Sequence, residues 1–269
     1  MNGPLTNSMI DNAALWRLSL MLGADGIDVL ARRVVGQPEI LSARLKADPA
    51  ARNHADAIEE LIYSNPLLLQ PFRKVDIVAT GGFTLAVPTG ACVDDIDAVF
   101  PPDDGAVSLT APIDSRNELL FRLDRGMVNF LRRTFDAVEP THALAVLGRY
   151  FSHRSRLGNS NKMYVDLGAA DMNILVFSQL GLTMASTFTC PDIRDAAYYT
   201  LAAANTVALD MGADEIRIAG DADRRAELTP ILRRFARNVM PAIFPASATV
   251  GDSSAMSAPF PLVILPLCE

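Results

Sequence analysis

The chain has 269 residues, of which 50% are hydrophobic and 20% are charged, and its formal net charge is −7. This much apolar material can build a substantial core, so the composition excludes an intrinsically disordered chain. The acidic balance excludes a uniformly basic surface, and we expect no nucleic-acid partner.

The first elements predicted along the chain form a meander of three strands. Residues 16–22 alternate in the manner of a strand, and the glycines around Asp25 predict a tight turn. Strands are predicted to follow at 27–35 and 39–45. An apolar helical stripe, Ala57, Ile58, Leu61 and Ile62, then ends at Asn65-Pro66 and leads to a strand at 75–79.

The middle of the chain carries a different set of elements. Strands are predicted at 83–87, 107–113 and 118–123. Apolar stripes predict two helices, the first through Met127, Phe130, Leu131 and Phe135 and the second through Leu144, Leu147, Tyr150 and Phe151. The polar segment 152–161 is typical of a hinge.

The second half repeats the order of the first. Strands are predicted at 163–167, 172–177 and 182–188, a helix from Pro191 to Gly212, a strand at 215–219, and a helix whose stripe is Leu228, Ile231, Leu232 and Phe235. Residues 245–259 are small and polar and predict a mobile loop. The apolar run 260–267 predicts a buried strand.

Targeting and metal-binding signals are missing from the sequence. The stretch MNGPLTNSMI has no basic segment before an apolar run, and no apolar run approaches the roughly 20 residues of a membrane helix. We therefore expect a cytoplasmic protein without a membrane span. Cys92, Cys190 and Cys268 are too scattered for a metal site or a disulfide framework.

The unit strand–strand–strand–helix–strand thus occurs twice, which indicates an internal duplication. It predicts an α/β protein of two lobes with a cleft between them. We expect the first lobe at 1–159, with an inserted subdomain at about 83–135, and the second lobe at 160–269.

The duplicated meander, with Val165-Asp166-Leu167-Gly168 opening its second copy, resembles the actin-like ATPase superfamily, whose fold is ribonuclease H-like. Four stretches are similar to a bacterial domain-of-unknown-function family of that fold: LWRLSLMLGADGIDVLA, FTLAVPTGACVDDIDAVF, VDLGAADMNILVF and PLVILPLCE. The resemblance implies a mixed sheet in each lobe, a three-strand meander plus parallel strands, flanked by helices. The 83–135 insertion resembles the extra subdomain of pilus-assembly and secretion-platform members.

The resemblance also implies a nucleotide cleft with two phosphate-binding turns and an adenosine turn. The second phosphate turn keeps Asp166, Gly168 and Asp171. The first has Gly23 and Asp25, but Met21 stands where the superfamily has an aspartate. The adenosine turn has one glycine, Gly220, where two or more are usual.

These incomplete motifs leave three functions open. The favoured one is a non-catalytic adaptor or assembly factor with degenerate nucleotide-binding motifs, with no catalytic residue and no cofactor expected. The alternative is a weak or regulatory ATPase that takes ATP and Mg²⁺. The third is an interaction module whose protein partner docks on the 83–135 insertion.

Overall fold

The computed structural model of the chain describes residues 10–91, 99, 101, 103–136, 138–155, 157–249 and 253–268, and Cys92 lies outside these ranges. Its strands are Trp16–Gly23 (β1), Gly26–Arg33 (β2), Ile40–Lys46 (β3), Lys74–Ala79 (β4), Thr84–Pro88 (β5), Ala106–Pro112 (β6), Asn117–Asp124 (β7), Thr141–His142 (β8), Lys162–Leu167 (β9), Asp171–Ser178 (β10), Gly181–Thr189 (β11), Glu215–Gly220 (β12) and Asn238–Pro241 (β13). Its α-helices are His54–Tyr63 (α1), Arg125–Thr134 (α2), Ala143–Arg154 (α3), Ile193–Thr206 (α4), Ala222–Leu232 (α5), Ala246–Thr249 (α6) and Phe260–Ile264 (α7).

Two five-stranded sheets have the same topology. The first has the order β3-β2-β1-β4-β8 and the second has the order β11-β10-β9-β12-β13. In each, an antiparallel meander is extended by two parallel strands. The predicted duplicated fold of two lobes, each with a mixed sheet flanked by helices, is therefore confirmed. A third sheet, of order β5-β7-β6, lies in the chain between β4 and β8.

The strand registers define which residues are equivalent in the two lobes. In the first hairpin Leu22 pairs with Ile27, and in the second Leu167 pairs with Met172. The parallel neighbours agree, because Leu22 pairs with Ala79 of β4 and Leu167 pairs with Gly220 of β12. By this register the end of β1 and the end of β9, which precede the two hairpin turns, are equivalent residue by residue.

The core consists of two outer apolar layers and one inner layer. One outer layer packs α1 and α2 against the first sheet, and the other packs α4 and α5 against the second sheet. The inner layer joins both sheets through α3 and α7, where Phe151 stacks on Tyr164 at 3.6 Å between ring centroids. The two lobes therefore share a buried layer behind the cleft.

Three local predictions were wrong. The run 260–267 is α7 followed by a 3₁₀ turn, because Pro261 lies in the first helical turn, where its missing N–H leaves no bond unmade. The described part of 245–259 forms α6 and a second 3₁₀ turn, in which Ala255 is fully buried. Helix α4 starts after its cap Asp192 and ends before Ala208, whose φ is +51°.

No helix in the described ranges is long and apolar enough to cross a membrane.

Candidate functional site

A large cleft is lined by residues of both lobes and has a volume of about 1450 Å³. The two hairpin turns, β1–β2 and β9–β10, and the end of β12 all open into it. The structure places every predicted site residue on this cleft: Gly23, Asp25, Asp166, Gly168, Asp171 and Gly220. Sequence positions almost two hundred residues apart therefore converge on one concave surface.

The turn that follows β12 needs its glycine for steric reasons. Gly220 has a φ of +91°, and a Cβ placed there would lie 2.1 Å from the carbonyl oxygen of Leu167. This close approach brings β12 against β9, where the amide of Asp221 donates to the same oxygen at 2.8 Å. The side chain of Asp221 then caps α5 by accepting from the amides of Asp223 and Arg224.

Asp166 is a buried carboxylate with one unsatisfied oxygen. Asp166 is 7% exposed. Its Oδ2 accepts a hydrogen bond from Asn173 Nδ2 at 3.3 Å, and its Oδ1 has no hydrogen-bond partner. Thr187 donates to Asn173 Oδ1 at 2.9 Å, which turns the amide nitrogen of Asn173 towards Asp166. Burial raises the pKa of Asp166 to about 7, against the smaller effect of the Asn173 hydrogen bond.

Asp171 bridges the second hairpin and the first lobe. Its Oδ1 lies over Gly168, 1.9 Å from where a Cβ of that residue would stand, and its Oδ2 approaches Gly81. Burial raises the pKa of Asp171, while a hydrogen bond with the Thr80 side chain opposes that rise. The Asp171 carboxylate therefore covers its own turn and contacts the opposite lobe.

The first hairpin turn is built differently. Arg44 of β3 donates from Nη2 to both oxygens of Asp25 at 2.8 Å, so an ion pair already engages this carboxylate. A Cβ on Gly23 would meet only ordinary contacts at 3.8 Å. Gly23 is thus not required by sterics, unlike Gly220.

Register places Met21 at the position equivalent to Asp166. Met21 pairs with Asp28 across the first hairpin, and Asp166 pairs with Asn173 across the second. Met21 is 8% exposed and lines the cleft. The first lobe therefore presents a thioether where the second lobe presents a carboxylate.

Sequence reasoning missed Asp28 and Arg44. Both line the cleft beside Met21, since β2 pairs Asp28 with Met21 on one side and with Arg44 on the other. A signal was available in the sequence, because a two-residue turn between Gly23 and Gly26 fixes the pairing of 21 with 28. Burial raises the pKa of Asp28 to about 6, and the Arg44 charge opposes that rise.

The cleft residues partly fit the nucleotide and Mg²⁺ that the fold implies. The unsatisfied Asp166 Oδ1 fits a cation or its bound water, because a buried carboxylate oxygen without a donor is costly. Over the described part of the chain no three His, Cys, Asp or Glu residues gather closely enough to form a metal cage. Mg²⁺ does not need such a cage, since one or two carboxylates, waters and phosphate oxygens usually hold it.

Paired sheets of equal topology with a shared cleft define an actin-like fold. A Bacteroides thetaiotaomicron protein described as having an actin-like ATPase fold and unknown function matches with a TM-score of 0.77 at 20% identity, over 87% of this chain and 94% of that chain. A chain of the PilM-PilN type IV pilus biogenesis complex matches with a TM-score of 0.58 at 13% identity, over 94% of this chain and 98% of that chain. At these identities the likeness shows the fold alone.

The chain belongs to the family described as protein of unknown function DUF3822, whose sequence profile matches residues 6–239. The predicted family resemblance is confirmed by this match. A comparison with curated protein sequences finds no match.

Proposed function

We propose that this protein is a non-catalytic adaptor or assembly factor that binds ATP in its cleft without hydrolysing it efficiently. The observation that carries the proposal is the pair Met21 and Asp166, in which equivalent positions of the two lobes hold a thioether and a carboxylate. One lobe presents a carboxylate to the cleft at this position, and the other presents none.

Two features support nucleotide binding. The six predicted residues share one cleft, and its volume of about 1450 Å³ is ample for a nucleotide. Asp166 Oδ1 is buried on that cleft without a partner, which favours a cation or a bound water at this point. ATP with Mg²⁺ would supply such a cation together with the phosphate oxygens that complete its coordination.

The residues at the first hairpin turn account for slow or absent hydrolysis. A phosphoryl-transfer site orients water and metal with positioned carboxylates, and loss of one such group costs roughly 10²–10⁴-fold in rate. Met21 cannot accept a proton or bind Mg²⁺ well, and Asp25 is engaged by Arg44. Binding without hydrolysis suits an adaptor, because an adaptor acts through the conformation that it presents to its partner.

The adaptor role also depends on how the chain is divided. We propose that the lobes are 1–159 and 160–269 and that a subdomain is inserted at about 83–135. Phe83, where the insertion begins, is 61% exposed. Arg116 of the insertion donates to the Leu180 carbonyl of the second lobe. We propose that a protein partner docks on the insertion and responds to the ligand state of the cleft.

A second candidate function is a weak or regulatory ATPase. The observation in its favour is Asp166, whose burial raises its pKa to about 7. A carboxylate that titrates near neutral pH is suited to accept a proton from an attacking water. Under this alternative Asp166 is a general base that works without help from the first turn.

Thermal unfolding and phosphate release together test the proposal. Millimolar Mg-ATP is expected to raise the melting temperature of the wild-type protein by several degrees. Phosphate release is expected to be equally slow in wild type and in Asp166→Asn. Release at least ten-fold faster in wild type would establish the second candidate, and an unchanged melting temperature would contradict nucleotide binding.

A further inference from the structure

A second, smaller pocket lies where the inserted segment, helix α3 and the 3₁₀ turn Leu265–Cys268 meet. It is lined by residues 112–115 at the end of β6, by one face of α3 and by residues 267–268. Its volume is about 290 Å³, which holds a small anion with its first waters, since a water molecule takes about 30 Å³ in the liquid. None of the described residues that line this pocket also lines the large cleft.

A glycine in the middle of α3 allows this pocket to form. A Cβ on Gly148 would clash with Cγ2 of Ile113, whose side chain is fully buried. A glycine inside a helix costs about 1 kcal/mol relative to alanine, and the close approach of Ile113 is the structural reason for this one. Because Gly148 lets the chain after β6 lie directly on the helix, the polar residues 114 and 115 share a pocket with Arg149.

Arg149 lines the pocket with a guanidinium that has no acceptor among the described residues. Its Nε is buried without a hydrogen-bond partner, and over the described ranges its side chain takes part in no hydrogen bond or ion pair. Two other arginines also have a buried Nε without a partner. However, Arg32 Nη2 donates to the Val263 carbonyl at 3.4 Å, and Arg132 Nη2 pairs with Glu139 at 2.8 Å. A buried donor without an acceptor costs roughly 1–3 kcal/mol, so a bound acceptor would be favoured beside Arg149.

Among the described residues that line the pocket, the only carboxylate is that of Asp114, and its own turn uses it. Asp114 Oδ1 accepts from the amides of Arg116 and Asn117 at 2.8 and 2.9 Å. The Asn117 side chain donates from Nδ2 to both oxygens of Asp114 at 3.0 and 3.1 Å. The pocket therefore combines a satisfied carboxylate with an unsatisfied guanidinium.

His153 and Ser115 add further donors to the same pocket. His153 follows Arg149 by four residues in α3, and side chains at i and i+4 of a helix lie on one face. Ser115 brings a hydroxyl from the end of the 112–115 segment. The planar fork of an arginine binds the oxygens of a carboxylate or a phosphate in pairs. A fork, an imidazole and a hydroxyl suit the three terminal oxygens of a phosphate group better than the two oxygens of a carboxylate.

We propose that this pocket binds the phosphate group of a small molecule, with Arg149 as the principal ligand and His153 and Ser115 as additional donors. The lining of the pocket is separate from that of the cleft, so the phosphate binds independently of any nucleotide there. The proposal goes beyond the proposed function and does not depend on it.

Calorimetric titration with inorganic phosphate at fixed ionic strength tests the site. The variants are Arg149→Gln, which removes the charge and the fork, and Arg149→Lys, which keeps the charge alone. The control is Arg154→Gln, because Arg154 belongs to the same helix but lies over the Tyr150 ring and donates to the Tyr150 carbonyl. Acetate and glycerol 2-phosphate are titrated in parallel.

We expect Arg149→Gln to bind phosphate at least about ten-fold more weakly than the wild type, with Arg149→Lys between them. Arg154→Gln should bind within about two-fold of the wild type, because its side chain has partners of its own. Phosphate should raise the melting temperature of the wild type but not that of Arg149→Gln. Tighter binding of glycerol 2-phosphate identifies a phosphomonoester as the ligand, and tighter binding of inorganic phosphate identifies the free ion.

Three results would overturn the inference: no phosphate binding by the folded wild type, equal binding by Arg149→Gln, or acetate binding as tight as that of phosphate. Each of them leaves the proposed ATP binding in the cleft untouched, and failure of ATP binding leaves this pocket untouched. Arg149→Gln removes an unpartnered donor, so it should fold. Should it not fold, His153→Gln at an exposed position should weaken phosphate binding several-fold, and unchanged affinity in that variant contradicts the site.

Discussion

Met21 and Asp166 occupy the same position in two copies of one hairpin, and both side chains line the same cleft. Because the fold is duplicated, each position of one lobe can be compared with its equivalent in the other. The second lobe has a buried carboxylate that accepts a hydrogen bond from Asn173, and the first lobe has a methionine paired with Asp28 across the hairpin. This difference underlies the proposal of binding without efficient turnover.

The two turn glycines should respond differently to alanine. Gly220→Ala places a Cβ 2.1 Å from the Leu167 backbone at a φ of +91°, so the strand junction must shift. We expect the free energy of unfolding to fall by about 2 kcal/mol or more. Gly23→Ala meets only contacts at 3.8 Å and should change stability by less than about 1 kcal/mol. Urea unfolding of both variants checks the contrast, and equal losses would contradict it.

The buried carboxylate of Asp166 should make stability depend on pH. Its pKa is about 7 in the folded protein and near 4 when unfolded, so the folded state binds more protons between these values. The contribution of Asp166 to stability is therefore largest below about pH 4 and is lost as the pH rises through 7, since the charged form is disfavoured in the fold.

The isosteric variant Asp166→Asn should remove this dependence. At pH 8 the wild-type aspartate is charged, so we expect the variant to be more stable than the wild type by roughly 1–3 kcal/mol. The difference should shrink towards pH 4, where the aspartate is protonated. Denaturant unfolding of both proteins across this range measures it. A difference that grows on acidification would show the opposite sign and contradict the burial of an unsatisfied carboxylate.

Lys162 should stabilise the segment that precedes the second lobe. The residue is 3% exposed, and its ammonium donates to the carbonyls of Ser155, Leu157 and Ser160 at 3.1, 2.6 and 3.3 Å. Lys162→Met leaves these carbonyls without their donor and should cost about 2–4 kcal/mol. The exposed Lys46→Met is the matched control and should cost less than about 0.5 kcal/mol. Similar losses in both variants would argue against the role of Lys162.

The contact between Thr80 and Asp171 should hold the two lobes together at the cleft. The Thr80 hydroxyl donates its one proton to the Leu22 carbonyl at 3.1 Å. The Asp171 carboxylate is the alternative acceptor for that proton, and this interaction lowers the pKa of Asp171. Thr80→Val keeps the shape and removes the donor for both acceptors, so the free energy of unfolding should fall by about 1–2 kcal/mol. Hydrogen exchange at Gly81 and Gly82 should accelerate. Thr110→Val, at an exposed position of β6, is the control, and unaltered exchange in Thr80→Val would contradict the bridge.

Local signals made most of the fold predictable. Alternation over β1 and β2 and the glycines at the first turn predict a hairpin, and its repetition around Gly168 predicts the second lobe. The run 260–267 was assigned wrongly because a short apolar segment does not separate a buried strand from a buried helix. The four residues of β13 carry too little pattern to be recognised.

The candidate site was only half predictable for a related reason. Glycines and aspartates at the turns are visible as local motifs, and all six of them line the cleft. The two-residue turn fixes the pairing of Asp28 with Met21, but Arg44 belongs to the site through the register of β2 with β3, which becomes definite only when the sheet is assembled. The ion pair between Arg44 and Asp25 depends on the same register, and no spacing in the sequence indicates it.

Calorimetric titration of ATP into the purified protein, with Mg²⁺ and again with EDTA, tests the central claim most directly. Wild type should bind one ATP per chain with Mg²⁺, and Asp166→Asn should bind it at least about ten-fold more weakly. The variant Arg217→Gln, which alters an arginine paired with Glu215 outside the cleft, should bind like wild type. Absence of ATP binding to the folded wild type, or equal binding by Asp166→Asn, would contradict the claim that this cleft is a nucleotide site.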